Sequence, residues 1–503
     1  MTAAGARPRK LVLAVIDAMK PAMLERAVLG GRAPALKLLM ERGHHVDDCV
    51  AAFPSVTPVC AASIATGAGP DRHLIPSMNW WHKGEQRYVE YGTSFRASQT
   101  FGFKRSLTDT IYNMNLEHLS ADCETVFEAL DDADVRTAGT TYLMYRGRHR
   151  HEVAGETALT RLASTVFRHA VYGPREFFYA DLFASRRTGC RSQMGLPGVR
   201  DQHAGCVGTY LIEHDLFDFL LFSLPDNDTV SHEKGPFAQV GSLAAADRQI
   251  ERLMHAAGGP DEFLAEHAVV VCSDHSQSQV EEGIDLFRAF DGFDVMPAAG
   301  PGASESQARE VALCPASRSA QVYVLDPDRR RELKTRVERT ALALDGVDLT
   351  MTMTDHPDGE AAIRGERGGT VKELRFAPRG DLRDRRGERW SVEGDLDLIG
   401  LEIAGGVLDC PDYPDPLGRV WSALRCATSG DVLLSAAPGY EFVDWGGASH
   451  IGGGSHGSLH ANDSLGALLW CGTGPERPDV LDQWTLRDIV PMVLRHFGVE
   501  PRG

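Results

Sequence analysis

Three apolar runs in this sequence end in acids or imidazoles, and a glycine-rich loop adds two more histidines. Asp17 follows "LVLAVI"; Asp226, Asp228 and His232 follow "DFLLFSLP"; Asp274 and His275 follow "AVVVCS"; "GGGSHGSLH" carries His456 and His460. A single acid after a strand is commonly a turn former or a helix cap. Several strand ends that deliver acids and imidazoles to one rim of a sheet are harder to explain as structure alone. Mixed oxygen and nitrogen donors suit zinc, with manganese or iron as alternatives, and two clusters suggest two divalent ions about 4 Å apart. Such a pair clamps the attacking and departing oxygens of an in-line phosphoryl transfer. Thr57, in "FPSVTPVCAASIATG", offers a nucleophile ahead of a small-residue helix whose N-terminus favours an anion. The competing reading is an ordinary Thr-Pro turn. A threonine hydroxyl is a weak nucleophile at neutral pH, and coordination of its oxygen to a metal removes that obstacle.

These residues need a frame that brings them together. "KLVLAVID", "FDFLLFSLPD", "AVVVCSDH" and "LGALLWCG" are continuous apolar runs of the length of strands covered on both faces. Between them "ETVFEALDDADV" and "LAAADRQIERLMHAAG" have helical patterning, the second with glycines suited to a stop. The alternation predicts an α/β fold with a doubly wound, mostly parallel sheet flanked by helices. In such sheets ligands bind at the carboxyl ends of the strands, where the acids lie. Near the end, Thr485 and Asp488 in "TLRDIVPMVLRHFG" have capping-box spacing, while Pro491 speaks against a regular helix there. From about 301 to 444 the texture changes to "RSAQVYVLD", "DRRRELKTRVERTALAL" and "VDLTMTM". This predicts a smaller α+β insertion or cap at 301–444, with the core at 1–300 and 445–503. Residues 146 to 201 are too irregular to place.

Length and charge narrow the class. The 503 residues are enough for a large core, and 52 basic against 70 acidic residues leave a net charge of −18. That sign disfavours a nucleic-acid duplex or an anionic membrane as partner, but not a small phosphate-bearing substrate, since bound cations invert the local field. The apolar run Leu11 to Ile16 is too short for a secretion signal and ends in Asp17. A cytoplasmic protein is therefore expected, with no membrane partner and possible assembly with copies of itself. Ten cysteines without a C-x-x-C pair suggest reduced, buried thiols.

The stretches "VIDAMKPAML", "FPSVTPVCAASIATG", "DNDTVSHEKGP", "CSDHS" and "GGSHGS" occur in the order found in the alkaline phosphatase superfamily, and most resemble its nucleotide pyrophosphatase/phosphodiesterase branch. The resemblance covers roughly residues 9 to 300 and 448 to 500. It implies an alkaline phosphatase-like fold and a two-metal hydrolase. One ion would be held by Asp17, Asp274, His275 and Thr57, the other by Asp228, His232 and His456. Because the family pairs an Asp with a His four positions later, the resemblance selects Asp228 over Asp226. Asp226 is then a turn residue or an acceptor behind a ligand. The implied chemistry is attack by Thr57 on phosphorus and a phospho-threonine intermediate. Small phosphate esters with phosphodiester or pyrophosphate bonds, nucleotides among them, are the substrates the resemblance implies.

Some positions depart from that pattern. The branch usually has an asparagine downstream of the nucleophile; here Cys60 stands in that region, and Asn79 is a candidate replacement. Ser276 and Ala18 stand where the family favours glycine, both minor changes. His460 is read as substrate-side or behind the ligands. Trp80, Trp81, Tyr88 and Tyr91 suit packing better than base stacking. His149 and His151 in "RGRHRHE" suit a solvated loop. A phosphomonoesterase or phosphonate hydrolase would use the same core. A sulfatase lacks support, because no Cys-x-Pro-x-Arg or Ser-x-Pro-x-Arg motif surrounds Thr57, and a phosphomutase fits the threonine context less well. The non-enzymatic alternative is a catalytically silent metal-binding scaffold, against which the intact set of candidate ligands speaks.

Overall fold

The computed structural model describes residues 8–153, 169–193, 195–299 and 309–501. Its centre is an eight-stranded sheet of β1 (Lys10–Ile16), β2 (His44–Val50), β3 (Thr137–Gly139), β4 (Glu176–Tyr179), β5 (Phe183–Ala184), β6 (Phe219–Leu224), β7 (His267–Cys272) and β8 (Leu465–Cys471). The order across the sheet is β2-β8-β7-β1-β6-β3-β4-β5. Strands β7, β1, β6, β3 and β4 are parallel neighbours. Strands β8 and β5 pair antiparallel. The sheet is thus mostly parallel, as the apolar runs predict.

The reason is visible along β1. Leu11, Leu13 and Val15 pack on one face with the helices Thr57–Thr66 and Ile489–His496, while Val12, Ala14 and Ile16 pack on the other with Pro21–Leu29, Pro34–Arg42 and Gln239–Ala256. Each such side chain contributes about 1.5–3 kcal/mol when removed from water, so a strand apolar on both faces is stable only between two helical layers.

Nine strands between Val311 and Ala436 form a second, largely antiparallel sheet. The helix Arg330–Leu342 covers one face through Leu333, Val337 and Ala341, and Pro416–Arg425 covers the other through Leu417, Val420 and Ala423. Ala312, Cys314 and Tyr323 join the same apolar cluster as Trp80, Trp81 and Tyr88, so this sheet is packed on the core and those aromatics are core residues. A three-stranded sheet of Ser278–Ile284, Gly439–Phe442 and Gly454–Ser455 lies between the two.

Local expectations fail in three places. His149–His151 is not a loop but a strand paired with Val171–Gly173, and the His151 ring bonds the Pro174 carbonyl at 2.7 Å. Cys190 and Cys206 are joined in a disulfide, because the chain after β5 folds back beside the helix Arg200–Glu213 and brings their Cα atoms to 5.9 Å, within bridging range. The other eight cysteines are free and buried. Pro491 does not interrupt the last helix, since Ile489–His496 places it in the first turn, where its missing N–H costs nothing. The Thr485–Asp488 capping box forms just before it. Among the described residues no helix is long and apolar enough to cross a membrane.

Candidate active site

Topology carries the side chains to one edge. Strands β1, β6 and β7 are parallel neighbours, so Asp17, the segment after Leu224, and Asp274 with His275 all emerge at their shared carboxyl edge. Strand β8 runs the other way, so the loop that precedes it, with His456, reaches the same edge. The segment after Leu224 is helical at once, Asp226–Lys234, ending at Gly235 with φ 84° before Pro236. Asp228 and His232 are therefore one helical turn apart on the same face, which is the physical content of their spacing.

Two clusters result. Asp228, His232 and His456 present donor atoms within 4.8 Å of one another, and so do Asp17, Asp274 and His275. In the first, His232 Nε2 lies 3.4 Å and His456 Nε2 3.8 Å from the Asp228 carboxylate. In the second, His275 Nε2 lies 3.7 Å from Asp17 Oδ1 and 3.4 Å from Asp274 Oδ2. The clusters adjoin, because the His275 and His456 rings stack at 3.8 Å with 15° between planes. Thr57 opens the helix Thr57–Thr66, and its hydroxyl lies 3.1 Å from His275 Nε2.

The surroundings prepare these groups for cations. Each imidazole uses Nδ1 to bond a backbone carbonyl, His232 to Gly454 (2.8 Å), His456 to Ser55 (2.8 Å) and His275 to Ser276 (3.1 Å). That fixes the proton on Nδ1 and leaves the Nε2 lone pair facing the cluster. Burial pushes His232 below its ordinary value, and burial with the neighbouring His275 pushes His456 well below, so both rings are neutral donors. Asp17 is driven well above the carboxylate range by burial and then by Asp274 and Asp228. For Asp228 burial acts upward, but at the acid pH where it titrates His232, His456 and His275 in their protonated forms overbalance it and bring it down to about 2. Asp17 Oδ1 is buried without a hydrogen-bond partner. Crowded carboxylates, lone pairs aimed at a common point and an orphaned carboxylate oxygen fit a pair of divalent cations.

The remaining candidates stand apart from these clusters. Asp226 accepts from Gly198 N (2.9 Å), Arg200 Nε (2.8 Å) and Asp201 N (3.1 Å), while its own N–H bonds Asp201 Oδ1 (3.0 Å). It joins two helix N-termini and touches no candidate ligand. Asn79 donates its amide to Val89 O and Glu90 Oε2, both at 3.0 Å, within its own hairpin, which leaves no N–H for a phosphate oxygen. Cys60 is wholly buried in the core, its thiol pushed well up by burial. His460 caps the short helix Ala461–Ser464, taking the Asn462 N–H on Nδ1 at 3.1 Å.

Four supporting residues escaped the sequence reading. Gln277 donates to Asp228 Oδ1 at 2.5 Å, and Asn227 donates to the Asp17 carbonyl at 2.8 Å. Gln239 spans the clusters, donating to Ala18 O (2.8 Å) and Ser231 Oγ (3.1 Å). His450 lays its ring 4.1 Å from that of His232 and bonds Glu441 at 2.7 Å. Amides and buried carboxylates with no characteristic spacing carry no signal of this kind. Ala18, which looked like a minor change, has φ 56°; this left-handed turn aims its N–H at Asp274 Oδ1, 3.1 Å away.

A model of the family "Type I phosphodiesterase / nucleotide pyrophosphatase" matches residues 11–367. Among solved structures, murine ectonucleotide pyrophosphatase/phosphodiesterase 5, an inactive form in complex with AMP, is 10% identical with a TM-score of 0.58, over 98% of this chain and 96% of that one. Phosphonoacetate hydrolase from Sinorhizobium meliloti, in complex with phosphonoformate, is 16% identical with a TM-score of 0.54 over the same shares. At these identities the likeness is one of fold, the alkaline phosphatase-like arrangement of a mostly parallel sheet between helices. The sequence finds no match among curated proteins.

Proposed function

Since the chain belongs to the type I phosphodiesterase/nucleotide pyrophosphatase family, and so to the phosphoric ester hydrolases, we propose that it cleaves phosphodiester or pyrophosphate bonds of small phosphate esters with Thr57 as nucleophile. The observation that carries this reading is the placement of the Thr57 hydroxyl 3.1 Å from His275 Nε2, at the junction of two clusters of metal-binding side chains. Asp17, Asp274, His275 and Thr57 would hold one ion, and Asp228, His232 and His456 the other. The oxygen and imidazole donor set suits zinc, with manganese or iron as alternatives. When bound, the ions supply the positive charge that lowers the pKa of coordinated oxygens and offsets the charge on the transferring phosphoryl group.

The chain's own part is positioning. The Thr57 oxygen attacks phosphorus in line with the departing oxygen, the P–O bond to the leaving group breaks, and a Thr57 phosphoester forms. Water then attacks that phosphorus and restores the hydroxyl. The helix that Thr57 opens would turn its N-terminus toward the phosphoryl oxygens with the Thr57 N–H as the open donor, since Pro58 has no N–H and Val59 and Cys60 donate theirs to the Val56 carbonyl. The Nδ1–H bonds to Gly454, Ser55 and Ser276 hold the imidazoles in one tautomer throughout.

The fold shared with phosphonoacetate hydrolase supports a phosphonate as a second substrate class. One preparation assayed on a nitrophenyl diester, a nitrophenyl monoester and a nitrophenyl phosphonate ranks the three, and the diester is expected first. Thr57→Ala should lose at least about a thousandfold in kcat while two ions per chain remain by elemental analysis. Unimpaired turnover in that variant would refute the nucleophile.

A further inference from the structure

The second sheet reaches the metal-binding edge at one tight turn. The strands Val311–Ala316 and Ser319–Val324 are joined by Ser317 and Arg318, and the backbone N–H of Arg318 donates to the carbonyl of His456 at 2.8 Å. The Arg318 guanidinium runs inward. It bonds Asp463 Oδ1 at 2.5 Å, Tyr440 O at 2.9 Å and Ala437 O at 2.8 Å. Both side chains of the Arg318–Asp463 pair are 0% exposed. Asp463 also accepts the Ser458 N–H at 2.9 Å and the Ser278 hydroxyl. A charge pair this deep is tolerated only when its remaining lone pairs and protons are bonded, and a pair so bonded has one geometry.

The same segment grips the rest of the loop. Leu459 N donates to Ser435 Oγ at 3.0 Å, Arg419 Nη1 to the Leu459 carbonyl at 3.0 Å, and Ala461 N to the Asp412 carbonyl at 2.8 Å. Gly457 lets the two backbones meet. Its φ is 121°, and a Cβ there would stand 3.1 Å from Arg318 N and 3.2 Å from Ser319 N. His456 is therefore clasped between Ser55, on the Thr57 side, and Arg318, on the second sheet.

We propose that Arg318 is the positioning residue of His456, and that the second sheet serves this site as the frame of the Asp228–His232–His456 centre. The inference rests on reading the two clusters as metal sites. It assigns to the 301–444 segment a role in assembling the site that a cap over the substrate would not have.

Zinc titrations of metal-stripped protein test it. In an Asp274→Ala background only the Asp228–His232–His456 centre remains, and Arg318→Met should weaken its zinc affinity on the order of 10- to 100-fold, the usual effect of losing an outer support. In an Asp228→Ala background the other centre remains, and the same change should alter its affinity less than about twofold. Arg318→Lys should recover part of the loss, since one donor can still reach Asp463. Gly457→Ala should show the same asymmetry and serves where Arg318→Met does not fold. Equal weakening of both centres, or none in the Asp274→Ala background, overturns the proposal. Failure of the unmutated protein to take up two zinc ions overturns the metal reading beneath it, and is scored before any variant is made.

Discussion

Asp226 and Asp228 sit two residues apart in one helix and should respond to mutation in opposite ways. Asp226→Ala removes the acceptor for Gly198 N, Asp201 N and Arg200 Nε, and so uncaps the helix Arg200–Glu213. A lost cap costs about 1 kcal/mol and a hydrogen bond to a charged group about 1.5–3, so a total of about 3 kcal/mol is expected because such losses overlap. With an unfolding entropy of about 2.1 cal/mol/K per residue over the 503 residues, this corresponds to a fall of about 3 °C in Tm. Asp228→Ala removes a carboxylate that accepts from Gln277 Nε2 at 2.5 Å and faces His232 Nε2 at 3.4 Å and His456 Nε2 at 3.8 Å. The metal-free protein should change little at neutral pH, where those imidazoles are neutral and burial disfavours the charge. The assay is a thermal scan with and without zinc. A ligand at a hundred times its Kd adds about 2.7 kcal/mol to the folded state, so the zinc-induced rise in Tm reports each centre. Asp226→Ala should lower both curves together and keep that rise, while Asp228→Ala should leave the metal-free curve in place and lose part of the rise. Loss of the rise in Asp226→Ala with its retention in Asp228→Ala would refute both the ligand assignment and the capping role.

Two further outcomes follow from other positions. Ala18 is held at φ 56°, so Ala18→Gly should change stability by less than about 1 kcal/mol, relief of the left-handed cost being offset by a more flexible unfolded chain. Ala18→Val, β-branched at the same φ, should destabilise by more than about 2 kcal/mol and weaken zinc binding at the Asp17 centre; denaturant titration beside metal analysis measures both. His73 is wholly buried, takes the Ile75 N–H on Nδ1 at 3.1 Å, and is pushed by burial from 6.5 down to about 3. Between those values the unfolded chain binds a proton that the folded one refuses, so this group's contribution is complete above about pH 6.5 and is lost as pH falls toward 3. His73→Gln should flatten the pH dependence of stability there by about 1.4 kcal/mol per pH unit, and an identical slope in the variant would show that another group carries it.

Much of the sheet could be read from residue order because its cause is local. A strand buried on both faces is apolar almost throughout, and β1, β6, β7 and β8 are, apart from Lys10 and His267 at their first positions and Ser223 within β6. The acids stood out for the same reason, as the first polar groups after such runs, and the resemblance to the family selected Asp228 with His232, a spacing that the helix Asp226–Lys234 turns into one helical turn. Asp226 shares the first of those signals with Asp228, and composition alone does not separate a helix clamp from a ligand. Asn79 and Cys60 were candidates by proximity in sequence to Thr57, and packing turned one into the hairpin and the other into the core.

What the sequence determined by itself is therefore the set of elements and the chemistry at their ends, because periodicity and spacing act within a few residues. Only the tertiary structure decided which of those ends meet. His456 joins Asp228 across more than two hundred residues because β8 runs antiparallel to β7, and His456 is held in place by Arg318, a residue with no local pattern to mark it. The Cys190–Cys206 bridge, the left-handed turn at Ala18 and the burial of the Arg318–Asp463 pair are of the same kind. Each depends on how distant surfaces pack, and the free energy of packing is a property of the assembled layers that no short window of residues contains.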